Sequence, residues 1–339
     1  MIKTYLLVLC ILTVAAGSLG VNTHAQSGSC APGFVSCGYT DLWHLSNDCP
    51  KGVFNCQTFM WSITCQINNS NCAPAPPEVK NFCFKGSSPI CLNDGNTYIE
   101  ETDVRIPGLG GGLSLVRTWN SIWPSTQSAS QVGLFGPNWR SNFEERVFVG
   151  SDNYIKYARG DGSFWSFGYN GGTWSLAAPQ DLTATLASGS TYWTLTFQNG
   201  EQRRFDNTSG SLTAVIDRNG NTTQLSYDGL NRLQTVTDPA SRTLTFTYQN
   251  SSSYLVTGVS SSVGVSTSYA YDGQNRLSQV TNQDSTTLTF AYDSQSRITS
   301  VTDSNGKVLE SHTYDNNGRG LTGSRALGVE AVTFSYPNQ

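Results

Sequence analysis

The sequence predicts an all-β fold of stacked antiparallel hairpins, preceded by a small disulfide-rich segment. Three observations predict it. First, an aromatic residue, usually followed by Asp, returns at Phe205-Asp206, Tyr227-Asp228, Tyr248-Gln249, Tyr271-Asp272, Tyr292-Asp293, Tyr314-Asp315 and Tyr336, at intervals of 22, 21, 23, 21, 22 and 22 residues. A fixed period of this size marks a repeat architecture. Second, residues before these positions alternate: Leu244, Phe246 and Tyr248 are separated by Thr245 and Thr247, and Leu288, Phe290 and Tyr292 by Thr289 and Ala291. A period of two in aromatic and β-branched residues reads as a strand with one buried face. Third, eight cysteines at orderly spacing precede the repeats.

The N-terminus comes first in chain order. Met1-Ile2-Lys3 is a short basic start, Tyr5 to Ala16 is an apolar run, and Ala25 offers a small residue for cleavage. This pattern predicts a secretory signal peptide over 1–25 and hence a secreted or cell-surface protein. The run is short for a bilayer span, and no later stretch is apolar enough for one, so no membrane span is expected after removal of the signal.

The segment 26–80 follows. Cys10 lies inside the signal, which leaves Cys30, Cys37, Cys49, Cys56, Cys65, Cys72, Cys83 and Cys91. An even number in an exported chain implies disulfides. The pairs 30/37, 49/56 and 65/72 are seven apart and 83/91 eight apart, so adjacent pairing is the simplest of the possible connectivities. A segment with so few core-forming residues needs such staples. Zinc does not fit, because no Cys-x-x-Cys occurs and His44 is the one nearby His. Ala73-Pro74-Ala75-Pro76-Pro77 then reads as a stiff linker.

A β block over 81–200 and the repeats over 201–339 complete the chain. Within each repeat, Asp-Gly (Asp228-Gly229, Asp272-Gly273) or Asp-Asn (Asp315-Asn316) is expected to supply the turn. A second strand follows, as in Arg232 to Asp238, Arg276 to Asn282 and Arg297 to Asp303. In these strands Leu or Ile and Val lie three apart, which strict alternation forbids, so a bulge is predicted. Such a hairpin cannot bury its apolar face alone and must stack on its neighbours.

These strings resemble a known family. Tyr227-Asp-Gly-Leu-Asn-Arg-Leu-Gln-Thr-Val-Thr-Asp238 and Tyr292-Asp-Ser-Gln-Ser-Arg-Ile-Thr-Ser-Val-Thr-Asp-Ser-Asn-Gly306 resemble the YD repeat of RHS (rearrangement hot spot) proteins. Upstream, Glu101-Thr102-Asp103, Ile106-Pro107-Gly108, Leu113 to Ser121 and Phe135-Gly136-Pro137-Asn138-Trp139-Arg140 resemble the domain that opens an RHS shell. The resemblance implies a partial shell, in longer relatives a hollow β-cocoon that encloses or presents a C-terminal toxin, as in polymorphic toxins and insecticidal toxin complexes; related repeats occur in teneurin adhesion receptors. The chain departs from that pattern: about six repeats cannot close a large shell, the family's closing motif is absent, and the repeats stop near Tyr336. The expected partners are therefore further RHS repeats or a partner chain at the C-terminal edge.

The search for chemistry finds little. His24 leaves with the signal, His44 lies in the Cys-rich segment, and His312 occupies the slot of Phe246, Phe290 and Phe334, where it reads as a half-buried strand residue. No Ser-His-Asp or Cys-His arrangement is visible. Asp94, Glu100, Glu101 and Asp103 offer paired carboxylates for a glycosidase, but their place in the opening block favours a structural role. Gly108 to Gly112 lacks the Lys-Ser/Thr of a phosphate loop. No catalysis, cofactor or metal is expected. A net charge of −4 with 13% charged residues gives no footprint for nucleic acid. Arg159-Gly160-Asp161 spells an adhesion tripeptide but reads as a hairpin turn. The column Arg232, Arg276, Arg297 and Arg319 either pairs with Asp228, Asp272, Asp293 and Asp315 along the stack or faces sugars. Trp119, Trp123 and Trp139 form either core or a glycan platform. A structural RHS module is thus the leading expectation, with carbohydrate or cell-surface binding as the alternative and a hydrolase third.

Overall fold

The structure is a computed structural model. It describes four short strands between 34 and 66 and most of residues 90–336; 92–93, 123–131, 151–153, 171–172, 179–181, 326–327 and 329 are not described. The signal peptide and linker lie outside the described residues, and so do the side chains of every cysteine except Cys91. Cys91 is buried and disulfide-bonded; the adjacent pairings expected for the rest fall outside what is described.

Two compact units are distinguished. One comprises Met1–Pro77 with Gly168–Thr173, and the other Glu78–Phe167 with Trp174–Gln339. In the first, Phe34–Ser36 pairs with Thr64–Gln66 and Val53–Asn55 with Met60–Ser62, both antiparallel. The second unit contains both sides of the boundary expected at 200/201. Tyr192–Phe197 and Gln202–Asp206 are hydrogen-bonded neighbours of one sheet.

That sheet has nineteen strands, from Arg146–Val149 to Glu330–Thr333, each paired with its neighbours in sequence. Short turns leave no room for crossovers, so an antiparallel meander is the outcome. In the repeats the turn is built on the Asp. The amide of Asp228 donates to the Arg232 carbonyl and that of Asn231 to the Asp228 carbonyl. Asn231 is left-handed (φ 59°), as are Asn275 (φ 61°) and Ser296 (φ 63°) in the same slot. This is a type I turn closed by a left-handed residue. Asp-Gly does supply the turn, with the left-handed position falling two residues after Gly229 and Gly273 rather than on them. The Asp carboxylate selects the turn, since Asp228 Oδ1 accepts the amides of Leu230 and Arg232 at 2.9 and 3.0 Å.

The bulge is present and recurs. Ser226 pairs with Thr235 but Tyr227 with Leu233, so Gln234 is the extra residue; the register shifts in the same way at Tyr248, Tyr271, Tyr292 and Tyr314. The extra residue lets Leu and Val three apart both turn inward: Leu277 and Val280, and Ile298 and Val301, are at most 1% exposed.

The inner face of the sheet is packed against the opening block. Tyr98–Ile106 and Leu113–Asn120 form a hairpin extended by Trp139–Ser141. Its aromatic side chains meet the repeats: Trp119 contacts Tyr314, Phe135 contacts Tyr269, Trp139 contacts Phe290 and Phe143 contacts Phe246. Trp119 and Trp139 are fully buried, which removes them as a glycan platform; Trp123 is not described. At its start the sheet bends back on itself, with Arg146 bridging to Ser211. The last repeat is modified for the fit. Where Leu233, Leu277 and Ile298 fill the inner slot of other repeats, Gly320 leaves space that Ile90 and Thr97 occupy.

Candidate functional site

Two features concentrate chemistry-bearing side chains: a ladder along the rim of the repeats and a charge cluster under the opening hairpin.

In the ladder, Asp and Arg of one repeat pair within their own turn, not along the stack. Nε of Arg232, Arg276, Arg297 and Arg319 donates to Oδ2 of Asp228, Asp272, Asp293 and Asp315 at 2.6–2.7 Å. The guanidinium then reaches the next repeat. It lies 4.3, 4.7, 4.9 and 4.2 Å from the rings of Tyr248, Tyr292, Tyr314 and Tyr336. Arg276 Nη1 donates to the Asp293 carbonyl (3.2 Å) and Arg297 Nη1 to that of Asp315 (2.5 Å). The tyrosines reach back: Tyr227, Tyr248, Tyr271, Tyr292, Tyr314 and Tyr336 each donate to a carbonyl of the preceding hairpin, at 2.6–2.8 Å. Phe205 has no hydroxyl and is fully buried, and its neighbour Asp206 holds the amides of Thr208 and Ser209 instead of an Arg. Tyr248 is followed by Gln249 and a longer loop, so Arg232 Nη1 bonds the carbonyls of Asn250 and Ser253.

The electrostatics follow from these bonds. The Arg232 guanidinium, with two amides, holds Asp228 below the usual carboxylate range. Burial pushes Asp272 and Asp315 up, but their amide and guanidinium bonds outweigh it and leave both low. Burial raises the phenols, Tyr292 to about 12. The Asp carboxylates are thus spent on their own turns, and the Arg and Tyr side chains tie each repeat to its neighbours.

The cluster lies on the hairpin's buried face. Arg117, fully buried, is bound by both carboxylate oxygens of Asp103, and Tyr269 donates to Asp103 Oδ2 at 2.7 Å. The rings of Trp139, Phe135 and Tyr269 surround the guanidinium at 4.6, 5.6 and 5.6 Å. Glu101 is the cross-strand partner of Arg117. Burial pushes its carboxyl up to about 7, against the pull of Arg117 and with the push of Asp103 and Glu310. Nearby, Arg325 Nε donates to Glu310 Oε1 at 2.7 Å. His312 is buried at 3% exposure rather than half-buried. Among the described residues its ring nitrogens have no hydrogen-bond partner.

Sequence reasoning missed the Asp103–Arg117 pair. The signal was there: Leu113, Leu115, Arg117 and Trp119 share one face of a strand, so Arg117 had to be buried with the others. Of the carboxylates weighed for glycoside hydrolysis, Glu101 and Asp103 come together beside Arg117. Asp103 is consumed by Arg117 and Tyr269, while Asp94 Oδ1 accepts the Asn96 amide. The tripeptide Arg159-Gly160-Asp161 sits in the turn between Ile155–Ala158 and Phe164–Asn170, with Asp161 Oδ1 accepting both the amide and the hydroxyl of Ser163. No cluster of His, Cys, Asp and Glu suited to a metal occurs among the described residues. Nor is any helix among them long and apolar enough to cross a membrane.

Comparison with known proteins adds to this geometry. A family model described as domain of unknown function (DUF6531) matches residues 87–167, the opening block, and one described as Teneurin YD-shell matches 181–310, the repeats. The chain belongs to the RHS/YD-repeat family. This RHS/YD chain is 29% identical over 140 residues to the tRNA nuclease WapA of Bacillus subtilis (strain 168), and equally to the tRNA3(Ser)-specific nuclease WapA of Bacillus spizizenii. The match covers 41% of the RHS/YD chain and 6% of each relative. Among solved structures, a TcdB2-TccC3-Cdc42 crystal structure is 16% identical, with 68% of the RHS/YD chain and 12% of the other covered, at a TM-score of 0.28.

Proposed function

We propose that this chain is a non-catalytic wall segment of an exported or cell-surface RHS-type shell, which encloses or presents an effector carried by the same polypeptide or by a partner chain. The observation that carries the reading is the ladder. Each Asp is committed to its own turn and each Tyr and Arg to an adjacent hairpin, which builds a surface rather than an active site. The match to proteins named as tRNA nucleases, over 6% of their length, supports an effector context. Limited proteolysis of the native gene product tests the reading. We expect residues 90–336 to resist digestion together with an enclosed polypeptide. Digestion of that polypeptide at the rate of its isolated form would overturn enclosure.

Glycan binding keeps one specific observation. Trp165 and Phe197, with Leu182, Thr183, Gln198 and Asn199, line an open hollow of about 320 Å³. An aromatic floor edged by hydroxyl and amide groups suits a sugar ring. A glycan array without a hit that is lost in Trp165→Ala removes this reading.

A further inference from the structure

The opening hairpin and the last strands meet over charged groups that the ladder does not use. Glu101 is the cross-strand neighbour of Arg117, which binds Asp103, while Glu310 binds Arg325 on the facing strands, and Glu101 feels the charges of both pairs. Asp103 is satisfied by Arg117 and Tyr269, and Glu310 Oε1 by Arg325. That leaves one negative charge in excess, with Glu101 the carboxylate that has no guanidinium of its own. Glu310 Oε2 is buried without a hydrogen bond, and 3.3 Å from it lies Nε2 of His312, whose side chain is fully buried and whose two nitrogens make no hydrogen bond among the described residues. A buried surplus of negative charge is costly unless a proton neutralises it.

We propose that Glu101 takes up a proton beside the buried Glu310–His312 contact and so latches the opening hairpin to the strands between Val308 and Arg325. Glu101 comes from Tyr98–Ile106, and Glu310 and His312 from Val308–Tyr314, so the three groups span the junction. The groups facing them are Arg117 and Asp103 on the hairpin, Arg325 on Gly320–Arg325, and the rings of Tyr269 and Tyr314. The last repeat is shaped for the contact. His312 replaces the Phe of earlier repeats, and its cross-strand partner is Gly323 where Phe246 faces Val259 and Phe290 faces Val301. The Gly320 amide also bonds the Gly95 carbonyl across the same junction.

The sign follows from linkage. Glu101 rises from an ordinary value of 4.5 to about 7 in the folded state. Its contribution is therefore complete below 4.5, declines as pH rises through about 7, and is absent above. The latch is closed in mild acid and loosened at alkaline pH.

Hydrogen exchange on the whole chain, corrected for intrinsic rates, tests this at pH 5 and pH 8. We expect amides of 98–106 and 308–325 to lose about tenfold in protection at pH 8. Glu101→Gln abolishes that difference, and Glu310→Gln, which removes the same surplus charge, does so should the first variant fail to fold. Glu145→Gln keeps it, although burial raises Glu145 too, because Glu145 pairs with Arg203 and Tyr157 elsewhere in the sheet. Equal protection at both pH values in the native chain, or a difference that persists in both Glu101→Gln and Glu310→Gln, overturns the proposal.

Discussion

The Arg276 guanidinium lies 4.7 Å from the ring of Tyr292, a residue of the next repeat, while the Tyr292 hydroxyl donates back to the Leu277 carbonyl at 2.8 Å. Each repeat thus both caps and is held by its successor. Arg276→Ala is expected to cost about 1–2 kcal/mol, from the cation–π contact and the charged hydrogen bonds together. Arg276→Lys recovers less than half, because an ammonium cannot bind Asp272 and stack on Tyr292 at once. Denaturant unfolding of both variants measures this.

The left-handed slot in the turns discriminates between neighbouring residues. Asn275→Val forces a β-branched side chain to φ near 61° and is expected to cost about 1–2 kcal/mol. Gly273→Ala, two residues earlier, meets nothing within 4 Å and is expected to change stability by less than about 0.5 kcal/mol. Thermal melts of the pair report which residue the turn depends on.

Gly320 reverses the repeat pattern. Leu at this slot matches Leu233 and Leu277, yet even a Cβ here would lie 2.5 Å from Thr97 Oγ1 and 2.7 Å from Ile90 Cδ1. Gly320→Leu is expected to lower stability by about 1–3 kcal/mol or more through overpacking. Paired with Ile90→Ala, the loss shrinks, which a double-mutant cycle detects.

Removing one partner of the buried pair is severe. Asp103→Asn leaves Arg117 fully buried without its counter-charge and is expected to cost about 3–5 kcal/mol. Replacing both, as Asp103→Leu with Arg117→Met, restores much of that loss. Calorimetry on the single and double variants separates these outcomes.

Acid acts on the ladder with the opposite sign to the latch. Asp228, Asp272 and Asp315 lie below their ordinary 3.8, so their contribution is full above 3.8 and is lost as pH falls through the native values. Glu101 loses its contribution as pH rises toward about 7. Stability is therefore expected to peak between about pH 4 and pH 5. Melting temperature across pH 2–9 measures the peak, and a curve rising steadily to pH 8 contradicts it.

Much of this protein is written locally. The period of Tyr and Asp, the inward Leu244 and Phe246, and the Leu–Val spacing across each bulge were legible because turns and strand faces depend on residues only a few positions apart. The turn chemistry was half legible. Asp was visible as the turn residue, but the left-handed position fell on Asn231 and Asn275 rather than on the glycines, since a type I turn places it three residues after Asp. The direction of the Arg column depended on a contact about 16 residues away, between Arg276 and Tyr292.

By itself, the sequence determined a meander of antiparallel hairpins and the face each strand buries, because alternation and turn propensity act over short range. Only the tertiary structure decided what fills the inner face. Trp119 against Tyr314, Trp139 against Phe290 and Asp103 against Tyr269 join residues more than 140 positions apart. Whether a buried Arg117 or His312 is tolerable depends on which charges and rings arrive from the other strand set. That pairing is settled by packing and desolvation, on which local propensity is silent.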